Sequence, residues 1–204
     1  MNRKQKTWLI VGISIFVIVG GFGGYVLYRL IPAHWTTDRV EFGFPFGETQ
    51  YIDAVQGYGE MTWGDFHNGI DIGVNHSTEL IAWCDLRITD LKTWFNERGG
   101  HWQTNIGAAY NWKYRFDVAV ESWALNETYA NYQKDAITVR VGQKVSAGDS
   151  LGHLLCYGEG AHIHFGLKQS GENVCPYNYM TPYAESLIDE YFALFGSGGT
   201  ICGD

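Results

Sequence analysis

The sequence predicts a mainly β domain, mostly antiparallel, with one peripheral helix at its C-terminal end and one transmembrane helix ahead of it. Three observations carry this. A 20-residue uncharged stretch lies near the N-terminus, several short β-branched or aromatic segments with partial period-two alternation follow, and a single capped apolar periodicity stands near the end. With 32 aromatic residues (8 Trp, 13 Tyr, 11 Phe) among 204, the chain can bury enough surface to offset the entropy of ordering, which excludes disorder.

The first element is Trp8 to Leu27, WLIVGISIFVIVGGFGGYVL, about 30 Å of helix at 1.5 Å per residue. Arg3, Lys4 and Lys6 precede it and only Arg29 follows closely, so the positive-inside bias places the N-terminus in the cytoplasm. Residues 1–30 then form a cytoplasmic stub and membrane anchor, and residues 31–204 an extracytoplasmic domain. A cleaved leader is the alternative, with cleavage after Gly20 to Gly24, but the segment is longer than a leader core and lacks an Ala-x-Ala site. Four of the 14 basic residues precede Asp38, the first acid, so the outer part holds 10 basic against 22 acidic residues, about −12. A nucleic-acid partner is excluded by that balance, because phosphate binding needs clustered positive charge.

In the outer part, Glu79 to Asp90, Tyr114 to Val120, Ala136 to Val141 and Ala161 to Leu167 read as strands. Turn signals separate them at Arg98 to Gly100, Val141 to Gly142, Ala147 to Asp149 and Gly158 to Gly160. The segment Ala124 to Asp135 reads as a polar excursion from the sheet. For the terminal helix, Thr181 can cap, Pro182 suits the first helical position, and Leu187, Ile188, Tyr191, Phe192 and Phe195 share a face before Gly196 stops the run. Cys84, Cys156, Cys175 and Cys202 permit two disulfides in any of three connectivities, with Cys175 to Cys202 preferred because it would tie down the tail.

Two stretches carry chemistry: Phe66 to Gly73 (FHNGIDIG) and Ala161 to Gly166 (AHIHFG). On a strand His162 and His164 point to one face, roughly 6 to 7 Å apart. A straight strand would hold His67 and Asp71 about 13 Å apart, so Gly69 must bend the backbone if both are to reach one ion. Two neutral imidazoles, one carboxylate and a fourth position left for water make a catalytic zinc shell, whereas calcium would want more oxygen donors.

These residues resemble the lysostaphin-like zinc metallopeptidases, of the glycyl-glycine endopeptidase type that cuts bacterial cell-wall peptides. The resemblance runs from about Phe44 to Pro176 and includes HNGID at His67 to Asp71, VRVGQKVSAGDSLG at Val139 to Gly152 and HIHFGL at His162 to Leu167. It implies the lysostaphin-like antiparallel fold, Zn2+ held by His67, Asp71 and His164, and His162 as the catalytic histidine beside the metal.

One family histidine, in a tyrosine-x-histidine-leucine context, has no counterpart here. Alignment on the tyrosine puts Asn131 in its place; alignment on the strand puts Glu121 there, the preferred choice, with His101 beside Trp102 as a reserve candidate. His34, His76, His101 and His153 read as exposed. The expected function is a membrane-anchored zinc metallohydrolase cleaving peptide bonds in cell-wall peptides. The alternative is a weak or inactive relative that binds wall polymer or regulates another hydrolase. A carbohydrate-binding module using Trp94, Trp102 and Trp112 is a third option.

Overall fold

Two of the four predicted strands, and the end of a third, join one large sheet. The computed structural model describes residues 32–61 and 64–203. The apolar segment Trp8 to Leu27 and the boundary at residues 30 and 31 lie outside the described residues, among which no helix is long and apolar enough to cross a membrane.

In chain order the strands are β1 (Ile52–Glu60), β2 (Phe66–His67), β3 (Ile70–Val74), β4 (Thr78–Ile81), β5 (Leu86–Asn96) and β6 (His101–Ala109). After these come β7 (Tyr114–Ala124), β8 (Lys144–Val145), β9 (Ser150–Leu154), β10 (His162–Gln169), β11 (Glu172–Val174) and β12 (Gly196–Cys202). The large sheet runs β12-β1-β3-β10-β7-β6-β5-β8, with β2 on β1 and β11 on β10, while β4 and β9 form a small second sheet. Among the described strands, all pairings are antiparallel except β1 with β12.

Alternation along the central strands sorts the residues into two faces. Ile70 and Ile72 of β3, Ile163, Phe165 and Leu167 of β10, and Phe116, Val118 and Val120 of β7 are buried on one of them. Phe42 and Trp83 close this layer, their rings 5.4 and 4.8 Å from that of Phe165. Truncating a ring so placed costs about 3–5 kcal/mol, and that packing holds the opposite face in register. The opposite face, which bears Asp71, His162 and His164, forms the floor of a cleft.

Among the described residues two α-helices accompany the sheet, not one. The predicted terminal helix is α2 (Pro182–Phe195): the Thr181 hydroxyl accepts from the Ala184 amide, Ala184 and Ile188 are buried, and Gly196 ends it. The polar excursion is itself α1 (Glu127–Ala136), capped by Asn126, whose side chain accepts from the Tyr129 amide. Its Gln133 is buried, donating to the His153 carbonyl and accepting from the Leu155 amide, which docks the helix.

Two strand expectations are corrected. Ala136 to Val141 is not a strand: α1 runs to Ala136, and beyond it only Ile137 bridges, to Gly152. The predicted Glu79 to Asp90 strand is broken, giving β4 and the start of β5. Cys175 and Cys202 form the expected disulfide, anchoring β12, and Cys84 and Cys156 are free.

Candidate metal centre

The candidate metal corner is built where β2, β3 and β10 meet. Between β2 and β3 the chain bends at Asn68 and Gly69, as the spacing of His67 and Asp71 requires. Gly69 is needed for close approach: a Cβ there would lie 2.7 Å from the His164 ring. Asp71 and His164 are direct partners across the β3–β10 ladder, and so come together through register alone.

The donor atoms of His67, Asp71 and His164 all lie within 4.8 Å of one another. His67 Nε2 is 3.1 Å from Asp71 Oδ1, His164 Nδ1 is 2.8 Å from the same oxygen, and the two ring nitrogens are 3.0 Å apart. His67 Nδ1 donates to the Gly57 carbonyl at 2.6 Å, which turns Nε2 inward and supplies the outer hydrogen bond that holds a ligating imidazole. Two imidazole nitrogens this close cannot both present bare lone pairs, so the space between them suits a proton or a cation. Two nitrogens and one carboxylate fit a zinc-like ion and are a poor match for calcium or magnesium.

Electrostatics at the corner follow the contacts. Burial alone would raise the Asp71 carboxyl, but hydrogen bonds from His164 and His67, with the charge of the nearby imidazoles, hold it well below the usual carboxylate range. Burial opposes charge on His67, yet Asp71 and the Gly57 carbonyl outweigh it and raise its pKa.

His162, two residues before His164, faces the same cleft. Its Nδ1 donates to the Gly160 carbonyl at 2.6 Å, so Nε2 points inward, 3.8 Å from Asp71 Oδ2. The cleft has a volume of about 550 Å³, and a second recess of about 350 Å³ shares Asp71, His162 and Trp123 with it. Space for a ligand therefore extends to both sides of the corner.

Glu121 lies in this cleft as the register partner of His162 on β7, whereas Asn131 is exposed on α1 and absent from the cleft wall. His101 corrects the expectation of exposure. It is 3% exposed, and its Nε2 contacts Glu121 Oε2. Trp123 went unnoticed in the sequence; its ring stacks on His101 at 4.3 Å. Asn96, Gln103 and Asn105 form a hydrogen-bonded row along the floor, with Trp94 donating to Asn105. Trp112 packs instead on Trp35, so Trp94, Trp102 and Trp112 form no common platform.

No protein-family model and no curated protein matches the chain. Solved structures do. The chain is similar to lysostaphin-like peptidases. One is a zinc-containing peptidase from Vibrio cholerae, with a TM-score of 0.46 and 17% identity over 66% of this chain and 38% of that one. Helicobacter pylori Csd3 has a TM-score of 0.47 and 16% identity over 76% and 41%. The catalytic domain of the antimicrobial peptidase lysostaphin from Staphylococcus simulans has a TM-score of 0.38 and 20% identity over 68% and 90%. The chain thus spans about two fifths of the length of the first two.

Proposed function

We propose that this protein is a zinc-dependent endopeptidase acting on cell-wall peptides, held at the membrane by Trp8 to Leu27 with its β domain outside the cell. The observation that carries the reading is the convergence of His67, Asp71 and His164 within 4.8 Å, with His162 beside them in an open cleft. His67, Asp71 and His164 would hold the ion. Bound there, zinc supplies Lewis acidity that polarises a scissile carbonyl and acidifies water.

The chain's own residues do the rest. Because His162 Nδ1 donates to Gly160, Nε2 is free to take a proton from the attacking water and return it to the leaving amine. Asp71 keeps its charge beside two imidazoles and so stays available as a ligand at neutral pH. The two recesses meeting at His162 allow a peptide to continue past the scissile bond in both directions, which favours internal cleavage. The membrane placement rests on the uncharged 20-residue stretch and the basic residues ahead of it.

The test is metal content coupled to digestion. Purified full-length protein should carry about one zinc per chain and cleave purified wall peptides, with zinc lost in His67→Ala and His164→Ala and cleavage lost in His162→Ala. A folded protein that takes up no zinc overturns the reading. Zinc and wall binding without any product would assign the chain to the non-catalytic alternative.

A further inference from the structure

The cleft holds a second buried constellation beside the metal corner. Strand β7 carries extra residues here: Thr104 pairs with Val120 and Trp102 with Ala124, so two steps on β6 face four on β7. Such a bulge re-aims side chains. Glu121 and Trp123 both lie in it, and Trp123 takes φ 60°, a left-handed conformation uncommon for a bulky residue. Its ring lies against His101 at 4.3 Å and 6.2 Å from the His162 ring. Gly160 makes room for it, since a Cβ there would sit 2.9 Å from the indole.

His101 holds Glu121 in place. Its Nδ1 lies 3.0 Å from the Gly99 carbonyl, an acceptor only, so Nδ1 carries a hydrogen. Its Nε2 meets Glu121 Oε2, and that contact must contain a proton, whichever partner owns it. The pair is nearly closed to solvent, His101 being 3% and Glu121 8% exposed. The same Oε2 lies 3.7 Å from His162 Nε2, too long for a direct hydrogen bond. One small polar group in the cleft can bond both atoms at once from an ordinary distance of about 2.8 Å.

We propose that Glu121 is a further catalytic residue, whose carboxylate brackets the attacking water together with His162 Nε2, and that His101 is the positioning residue that fixes this carboxylate. This rests on the hydrolytic reading above. No new bond is made or broken: the water proton still passes to His162, and the proton between His101 and Glu121 stays within the pair. Stability alone gives weak reason to bury such a polar pair, since apolar residues of similar volume often serve as well. A bulge and a left-handed tryptophan that together aim the pair into the cleft point to a role there.

The test uses the zinc-loaded full-length protein, purified wall peptides and four variants. Glu121→Gln keeps the shape and should lower kcat about 10²-fold, with KM within about threefold and zinc still near one per chain. His101→Phe keeps a ring against Trp123 but removes Nε2, and should lower kcat to a similar extent. The double variant should lose no more than either single one, because the two residues act as a unit. His101→Gln, whose amide can still donate to Glu121, should recover most of kcat.

Losses that multiply in the double variant, or a His101→Phe protein keeping kcat within threefold, would overturn the positioning link. Glu121→Gln with unchanged kcat would overturn the catalytic role. If His101→Phe fails to fold, His101→Gln and Glu121→Gln decide the matter by the same criteria. If the wild type binds zinc and cleaves nothing, the hydrolytic reading falls and takes this one with it, a result distinct from loss of the pair alone.

Discussion

The cleft contains two clusters that share a composition and differ in construction. Each places a carboxylate between two imidazoles: Asp71 with His67 and His164, and Glu121 with His101 and His162. In the first, donors converge on one point, with edges of 2.8 to 3.1 Å, leaving a place for a cation. In the second, one imidazole is in direct contact and the other stands off at 3.7 Å, which leaves a place for a ligand atom. Distance, more than residue type, separates the corner that could hold a cation from the wall proposed to face substrate.

The comparison breaks most sharply under substitution of the corner. Replacing His67, Asp71 or His164 by Ala should abolish both zinc retention and wall-peptide cleavage, read by metal analysis and product formation on one preparation. Replacing Glu121 should leave zinc in place. If zinc is lost equally from both sets, the two clusters are a single site and the distinction fails.

Metal removal comes next. An ion bound only to the folded state at 100 times its Kd adds about 2.7 kcal/mol of stability, roughly 5–10 °C in Tm for a domain of this size. Chelation should therefore lower Tm by that amount in the wild type and in Glu121→Gln alike, and leave the His164→Ala protein unchanged. Calorimetry with and without chelator checks this.

The glycines offer a finer test. Gly69→Ala pushes on the His164 ring and should weaken zinc binding about 10- to 100-fold, as expected when the support of a ligand is disturbed. Gly160→Ala pushes on Trp123 and should reduce kcat with zinc affinity within threefold. Chelator competition and steady-state kinetics on both variants separate the clusters without removing a polar group from either.

The two clusters also differ in how far they could be read in advance. His67 with Asp71, and His162 with His164, are close in sequence, so strand periodicity and one glycine bend sufficed to place them. The helix Pro182–Phe195 was legible for the same local reason, its cap Thr181 and stop Gly196 being written beside it. His101 and Glu121 meet only because β6 pairs with β7 and a bulge re-aims the latter, and neither pairing nor bulge leaves a local mark. The strand expected at Ala136 to Val141 shows the converse failure. Its β-branched run fits an extended conformation, but Asn126 caps a helix that reaches Ala136, and beyond Ile137 no ladder forms.

The smallest effect expected is on stability against pH, and it distinguishes the clusters by sign. The hydrogen bond that His101 donates to the Glu121 carboxylate raises the His101 pKa, with burial opposing and the Gly99 carbonyl assisting. A folded state that holds this proton more tightly than the unfolded chain gains stability that is fully present below about pH 6.5, the unfolded histidine value, and is lost as pH rises through the folded pKa. Asp71 behaves oppositely. Its depressed pKa contributes stability above about pH 3.9 that is lost on acidification. Zinc binding adds its own pH dependence, because its ligands must be deprotonated, but that contribution is common to wild type and His101→Phe. Urea midpoints between pH 5 and 9 on the zinc-loaded proteins should therefore show the wild-type advantage over His101→Phe narrowing as pH rises. An advantage constant across that range would mean that His101 holds no extra proton in the folded state, and the Glu121 carboxylate would then lack the charged partner that its burial calls for.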